Sequence, residues 1–257
     1  MPELDLKNMI PEIIASCVCL VVMVIFVPLF LKAAWPDKSK KSLLFKMICA
    51  TSFVIIALLQ MRIADNYSDF AKLVIGGLVL SWFGDLFLHI PTKKAKVWYP
   101  FGVLSFLSGH VLFVGAYALA GNRLLDASFW NLTEIAVFAP VIAAVMAYLL
   151  YMSKKSANKI IPFLIIYATA VFAMMIKATS LGIGLFIDGQ QSLLVTFLLA
   201  VGGIFFVTSD LLLLLIDFGD LPGKTARFKN FKLKSVNIWT YFIAQCLLGF
   251  TILFIRA

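Results

Sequence analysis

Charge is what this sequence has least of. Only 14% of its 257 residues are Asp, Glu, Lys or Arg, and it contains two histidines; in an average soluble domain about a quarter are charged. A chain so poor in polar residues cannot cover a water-facing globule of its own size. Low charge combined with 62% hydrophobic residues also excludes disorder. Cysteine is scarce as well. Cys17, Cys19, Cys49 and Cys246 all fall in apolar runs, at spacings that fit neither a disulfide framework nor a metal site, and read as small packing residues. No set of His, Cys and carboxylates has ligand spacing, so neither a metal nor another cofactor is expected. Acids are fewer than bases, 13 against 22, for a net charge of +9. In a soluble protein that excess would point to nucleic acid. In a chain of mean hydropathy +1.00 it asks instead which loops hold the bases, and no nucleic-acid partner is expected.

What is abundant is apolar sequence in long runs. A membrane-spanning helix needs about 20 mostly apolar residues, and eight such runs are present: Ile13–Leu31, Leu43–Met61, Leu73–Ile90, Tyr99–Leu119, Leu132–Met152, Ile160–Phe186, Leu193–Ile216 and Val236–Ile255. They do not alternate as barrel strands would. Turn and charge signals separate them, among them Trp35-Pro36-Asp37, Pro91-Thr92-Lys93-Lys94, Gly121-Asn122-Arg123, Ser153-Lys154-Lys155, Asp188-Gly189 and Leu221-Pro222-Gly223. The expected fold is all-α: a polytopic transmembrane helical bundle of eight spans, a single domain over 1–257. Glu3, Asp5 and Lys7 make no positive leader and no cleavage pattern follows the first run, so that run is read as a span.

The bases then sort by loop. Fifteen of the 22 fall after spans one, three, five and seven, in Lys32–Lys41, Lys93–Lys96, Lys154–Lys159 and Lys224–Lys234; Lys7, Arg62, Lys72, Arg123 and Arg256 fall on the other side. Lys/Arg-rich loops are cytoplasmic, which places both termini outside. Trp35, Trp98, Tyr99, Trp130 and Trp239 lie near span ends, where aromatic belts are expected, and His89 is read as interfacial. The membrane would be the cell (inner) membrane in a bacterium and the endoplasmic reticulum in a eukaryote.

Ionisable groups inside a span are costly and therefore mark function. With the loop charges set aside, Asp85 and Asp210 are the only acids assigned to the membrane interior. Lys46, His110 and Lys177 join them within spans two, four and six. Lys46 is close enough to the boundary to snorkel instead, and Lys177 is read as pairing with a carbonyl or reaching the outer interface. At ~1.5 Å per residue, Lys46 and both aspartates fall within ~10 Å of the inner boundary and His110 nearer mid-membrane. Span six adds Tyr167, and span eight adds Tyr241 and Gln245, one turn apart on one face. A water-accessible cavity near the cytoplasmic side, holding two carboxylates, is the expected site.

The two acidic segments resemble each other. Residues 77–88, from Gly77 through Ser81 and Gly84-Asp85 to Leu88, align without gaps with 202–213, from Gly202 through Ser209-Asp210 to Leu213. Spans three and seven run in the same direction, so a weak parallel 4+4 repeat, with halves of about 1–128 and 129–257, is one explanation. The small residues have a firmer meaning, because they let helices approach closely enough to bring both acids into one site.

Four motifs, in order, resemble those of the YhhN/lysoplasmalogenase family of multi-pass membrane proteins. They are the Gly77–Leu88 segment, the helix Gly102–His110 ending in Ser108-Gly109-His110, the Ser209-Asp210 segment, and Tyr241-Phe242-Ile243-Ala244-Gln245. One departure is the Pro that usually follows the lysine of span two; here Lys46 leads into Met47-Ile48-Cys49. The resemblance implies an ether hydrolase that cleaves the vinyl ether bond of lysoplasmalogens, releasing a fatty aldehyde and a glycerophospho-choline or -ethanolamine. Its lysophospholipid substrate would come from the bilayer, with water as co-substrate. The chemistry needs a protonated carboxyl and a carboxylate, roles that fit Asp85 and Asp210 in an order the sequence leaves open. Lys46 and His110 are candidates for the phosphate or for holding one Asp ionised; Ser81, Tyr167, Ser209, Tyr241 and Gln245 are supporting candidates. The alternative is a membrane transporter or lipid-binding protein whose paired aspartates carry protons or cations, which interruptions of the helices at mid-span would favour.

Overall fold

Backbone N–H and C=O groups in hydrocarbon must be satisfied within their own segment, so long apolar runs become helices. The computed structural model describes residues 6–91, 95–156, 161–218 and 230–257. Among the described residues it is all-helical: α1 (Leu6–Ala33), α2 (Lys40–Ile63), α3 (Asp69–His89), α4 (Ala95–Leu125), α5 (Leu132–Ser156), α6 (Ile161–Ile187), α7 (Leu193–Phe218) and α8 (Phe231–Phe250), with a 3-10 turn at Thr251–Leu253. Each expected span therefore has its helix. α4 is longer than its apolar run at both ends, and α8 starts at Phe231 rather than Val236 and gives way to the 3-10 turn. Among the described residues seven helices are long and apolar enough to cross a membrane, which makes this an integral multi-pass membrane protein; the apolar stretch described in α5 is the shorter Leu132–Tyr148. Of the loops expected to carry inner-face charge, 92–94, 157–160 and 219–229 lie outside the described residues, as do the side chains of Lys96, Lys154 and Lys155.

Local sequence explains several helix starts. Ser39 caps α2, its side chain accepting from Ser42 N while Ser42 answers the Ser39 backbone, a reciprocal capping box. Ser68 caps α3 and Asn230 caps α8 in the same manner. Prolines lie inside α1, α4 and α5, whereas α2, α3, α7 and α8, which carry both aspartates, run unbroken. The mid-span interruptions that a transporter reading would favour are absent from the aspartate-bearing helices.

Six helices close into a ring. α2, α3, α4, α6, α7 and α8 each pack on the next, α8 returns to α2, and α3 and α8 touch across the centre. α1 lies outside against α2, and α5 outside against α6. Glycines permit the closest approaches: a Cβ on Gly203 would lie 3.1 Å from Met175 Cα, and one on Gly109 only 3.0 Å from Gly77 O. Phe53, Phe113, Phe206 and Phe242 fill the ring's interior and are fully buried.

Hydrogen bonds tie the ends. At one face Lys38 Nζ donates to Leu88 O (2.7 Å) and Lys234 Nζ to Ala34 O (2.5 Å). At the other, Asn66 Nδ2 donates to both Ile252 O and Ile255 O (2.7 Å each), Phe70 N donates to Ala257 O (3.0 Å), and the Arg256 side chain donates to Ala64 O. Arg62 of that second face also meets Glu12 of α1 at 3.3 Å. The start of α1 and the C-terminus thus lie at the same face.

Candidate functional site

Each of the six ring helices sends a polar side chain inward. Lys46 comes from α2, Asp85 from α3, His110 from α4, Tyr167 from α6, Asp210 from α7 and Tyr241 from α8. Between the helices lies a cavity of about 660 Å³, bordered by Lys46, Asp85, Tyr167, Asp210 and Tyr241 and otherwise by apolar residues such as Val103, Phe106, Leu164, Val171, Val207 and Leu214. It reaches the face where α1 ends and α8 begins, at Trp35, Asp37, Lys38 and Lys234.

The two acids have different partners. Asp85 is completely buried: Oδ1 meets Lys46 Nζ at 2.8 Å, and Oδ2 accepts from Tyr241 OH at 2.8 Å. Lys46 is itself nearly buried. It does not snorkel to the interface, because a carboxylate lies within reach inside the ring. Asp210, its side chain 11% exposed, is nearly buried too, and has no lysine or arginine against it among the described residues. Its Oδ2 accepts from Tyr167 OH (2.9 Å) and lies 3.5 Å from His110 Nε2. That separation is an ion-pair distance but long for a hydrogen bond, and Nε2 has no hydrogen-bond partner among the described residues. His110 Nδ1 is 2.7 Å from Phe106 O; a carbonyl only accepts, so Nδ1 carries a proton and Nε2 is turned toward Asp210. Rings brace the pair, with Phe206 4.7 Å and Tyr167 5.5 Å from the His110 ring centre.

The remaining sequence candidates divide. Ser209 borders the cavity, its carbonyl and hydroxyl accepting from Asn237 Nδ2 at 2.6 and 3.2 Å. Ser81 does not: its hydroxyl donates back to Gly77 O (3.0 Å), as serines in helices commonly do, and it packs where α4 passes at Gly109. Gln245 is fully buried one turn beyond Tyr241 and does not border the cavity.

Three readings are corrected. His89 is not interfacial but buried, with Nε2 2.8 Å from Ser42 Oγ, its ring against Phe30, and the cavity beside it. Lys177 pairs with a carboxylate rather than a carbonyl; its Nζ meets Glu134 Oε2 at 2.7 Å and stands 4.7 Å from the Trp130 ring centre. Glu134, in the first turn of α5, is thereby a third buried acid, so Asp85 and Asp210 are not the only ones. The cavity also takes in His89, Tyr99 and Asn237, which sequence reasoning passed over as site residues. His89 follows Asp85 by one turn and Asn237 precedes Tyr241 by one turn, so helical spacing was the available signal for both.

All six inward-facing residues fall within the stretch 41–252, which matches the model of the YhhN family. The chain belongs to the YhhN family. The match spans α2 through α8 and leaves α1, the helix outside the ring, uncovered. No curated protein and no solved structure matches the chain. Within this YhhN protein the Lys46–Asp85 pair forms even though the proline expected after the lysine is missing, so the pairing does not depend on it. The four cysteines are free thiols, two of them buried.

Proposed function

We propose that the protein is a lysoplasmalogenase-like hydrolase of the vinyl ether bond. The observation that carries this reading is the unequal partnering of two carboxyls on one apolar cavity. An ion taken out of water without a partner is expensive. Asp85, held by Lys46 and Tyr241, is equipped to remain a carboxylate. Asp210, which faces a tyrosine and a histidine rather than a lysine or arginine, is the better holder of a proton.

The reaction follows from those roles. The Asp210 carboxyl gives its proton to the outer alkenyl carbon, and positive charge develops on the carbon bonded to the ether oxygen. The Asp85 carboxylate stabilises that oxocarbenium ion and takes a proton from the water that attacks it. The resulting hemiacetal collapses: its hydroxyl proton returns to Asp210, the carbon–oxygen bond to glycerol breaks, and the departing oxygen takes the proton held by Asp85. One water is consumed and both acids are restored. His110 positions Asp210 and offers Nε2 for its proton, while Tyr167 and Tyr241 orient the carboxyls. The apolar walls suit a single hydrocarbon chain, drawn from the bilayer.

The test is turnover of a lysoplasmalogen in heavy water by the purified protein, with no metal added. The expected product is a fatty aldehyde carrying one deuterium on carbon 2, as protonation at carbon requires. No aldehyde from either choline or ethanolamine substrates, or an aldehyde without deuterium, overturns the mechanism.

A further inference from the structure

Asp85 and Asp210 serve the reacting carbons, and the glycerol that joins the ether to the headgroup still has no partner. One group on the cavity wall, a turn away from Asp85, has no part in those steps. We infer that Nδ1 of His89 accepts a hydrogen bond from the free hydroxyl on the middle carbon of that glycerol. His89 is then a specificity-determining residue, selecting lipids that carry a single hydrocarbon chain. This inference rests on the lysoplasmalogen reading and names the part of that substrate which the residue recognises.

The protons around Ser42 fix the direction of that bond. Ser42 Oγ lies 2.8 Å from each of three atoms, Ser39 N, Ser39 O and His89 Nε2. A backbone N–H only donates and a carbonyl only accepts. The single hydroxyl proton therefore goes to Ser39 O, and the oxygen's lone pairs receive Ser39 N–H and Nε2–H. His89 meets no carboxylate among the described residues, and a buried imidazole without one is neutral. With its one N–H spent on Ser42, the ring offers Nδ1 as a bare acceptor. Nδ1 has no hydrogen-bond partner among the described residues, and His89 is buried on the cavity wall with Phe30 edge-on at 5.1 Å between ring centres. The capping box that starts α2 thus sets the tautomer of a residue on α3.

Position agrees with that chemistry. His89 follows Asp85 by four positions on α3, so the two side chains leave one face of the helix with Cβ atoms about 5–6 Å apart. His89 is the one nearer the rim, beside Leu88, Ile90 and Pro91 of the cavity wall. In the lipid, the middle-carbon hydroxyl is the next polar group after the ether oxygen, on the headgroup side. An ether bond placed at the carboxyls brings this hydroxyl to His89. A second acyl chain on the same oxygen removes the donor and leaves Nδ1 buried and unpaired, the arrangement by which a site rejects an analogue most strongly.

The experiment uses the full chain in detergent micelles and measures binding by calorimetry, without turnover. The probes are a saturated 1-O-alkyl glycerophosphoethanolamine, which keeps the hydroxyl but has no alkenyl ether, and its 2-deoxy counterpart. The unaltered protein should bind the hydroxyl-bearing lipid on the order of tenfold more tightly, as expected where a missing donor strands a buried acceptor. His89→Phe should weaken that lipid to the level of its 2-deoxy counterpart and leave the counterpart's affinity unchanged. His89→Asn, whose amide oxygen falls near the Nδ1 position, should keep a preference. Equal affinity of the unaltered protein for both probes overturns the inference, as does a His89→Phe variant that keeps the preference or loses both lipids alike. Nitrogen-15 NMR gives a second readout, because the chain has only two histidines to label. The His89 signal, identified by its loss in His89→Asn, should show a bare Nδ1 that shifts with the hydroxyl-bearing lipid and not with the 2-deoxy one. A proton on Nδ1 overturns the inference. A protein that passes these tests yet releases no aldehyde from a lysoplasmalogen refutes the hydrolase reading alone. One that hydrolyses a lysoplasmalogen and its 2-deoxy analogue with equal kcat/KM refutes the His89 contact alone.

Discussion

Lys46 Nζ and Asp85 Oδ1 stand 2.8 Å apart inside the ring, on the cavity that Asp85 shares with Asp210. Breaking a buried pair strands a charge and costs about 3–5 kcal/mol, whereas replacing both partners with apolar residues is often neutral. Lys46→Met should therefore lower the thermal unfolding midpoint in detergent substantially. Lys46→Met combined with Asp85→Leu should regain most of that stability and show no turnover. A double variant that keeps activity removes Asp85 from the mechanism.

Asp210→Asn should reduce aldehyde release by about 10²–10⁴-fold, the usual size of a general acid's contribution, with expression and unfolding midpoint intact. Tyr167→Phe removes one hydrogen bond to Asp210 Oδ2 and should cost less, on the order of 1.5–3 kcal/mol of transition-state stabilisation for a bond to a charged group, seen mainly in kcat. Equal losses in the two variants would contradict a supporting role for Tyr167.

The Glu134–Lys177 pair, 2.7 Å apart and away from the cavity, holds α5 to α6. Glu134→Gln should destabilise the protein by about 3–5 kcal/mol while the folded fraction hydrolyses substrate at the unaltered rate. A selective loss of kcat with unchanged stability would tie that pair to catalysis instead.

The distribution of Lys and Arg predicts which face meets the cytoplasm. In cells, a cysteine introduced by Asp188→Cys should react with a membrane-impermeant thiol reagent added outside, and one introduced by Asp37→Cys should not. The reverse pattern would invert the orientation, with the cavity then opening outward.

The helices were legible because hydrophobic length is a one-dimensional property, and Asp85, Asp210, Lys46 and His110 because charge within an apolar run needs no structure to be noticed. Which acid takes the lysine was not legible. Partnering depends on how each helix is rotated about its axis and on α8 closing the ring against α2 and α3, information carried by close contacts such as Gly203 on Met175 rather than by any local pattern. His89 was misread and Glu134 passed over for a shared reason. Both stand at helix ends, where a sequence gives no way to tell a solvated terminal turn from one folded against its neighbours. Ser81 misled in the other direction, since a hydroxyl four positions from an acid shares its face, yet this one is spent on its own helix.

The order of partners along the chain bears on how the protein can be made. Tyr241 reaches Asp85 across 156 positions, so the eighth helix completes a centre begun by the second and third. Lys46 precedes Asp85, and both His110 and Tyr167 precede Asp210. As the ribosome delivers the chain from its N-terminus, each carboxyl enters the membrane after a group able to receive it. Neither acid has to wait in hydrocarbon for α8, whose arrival closes a ring already furnished.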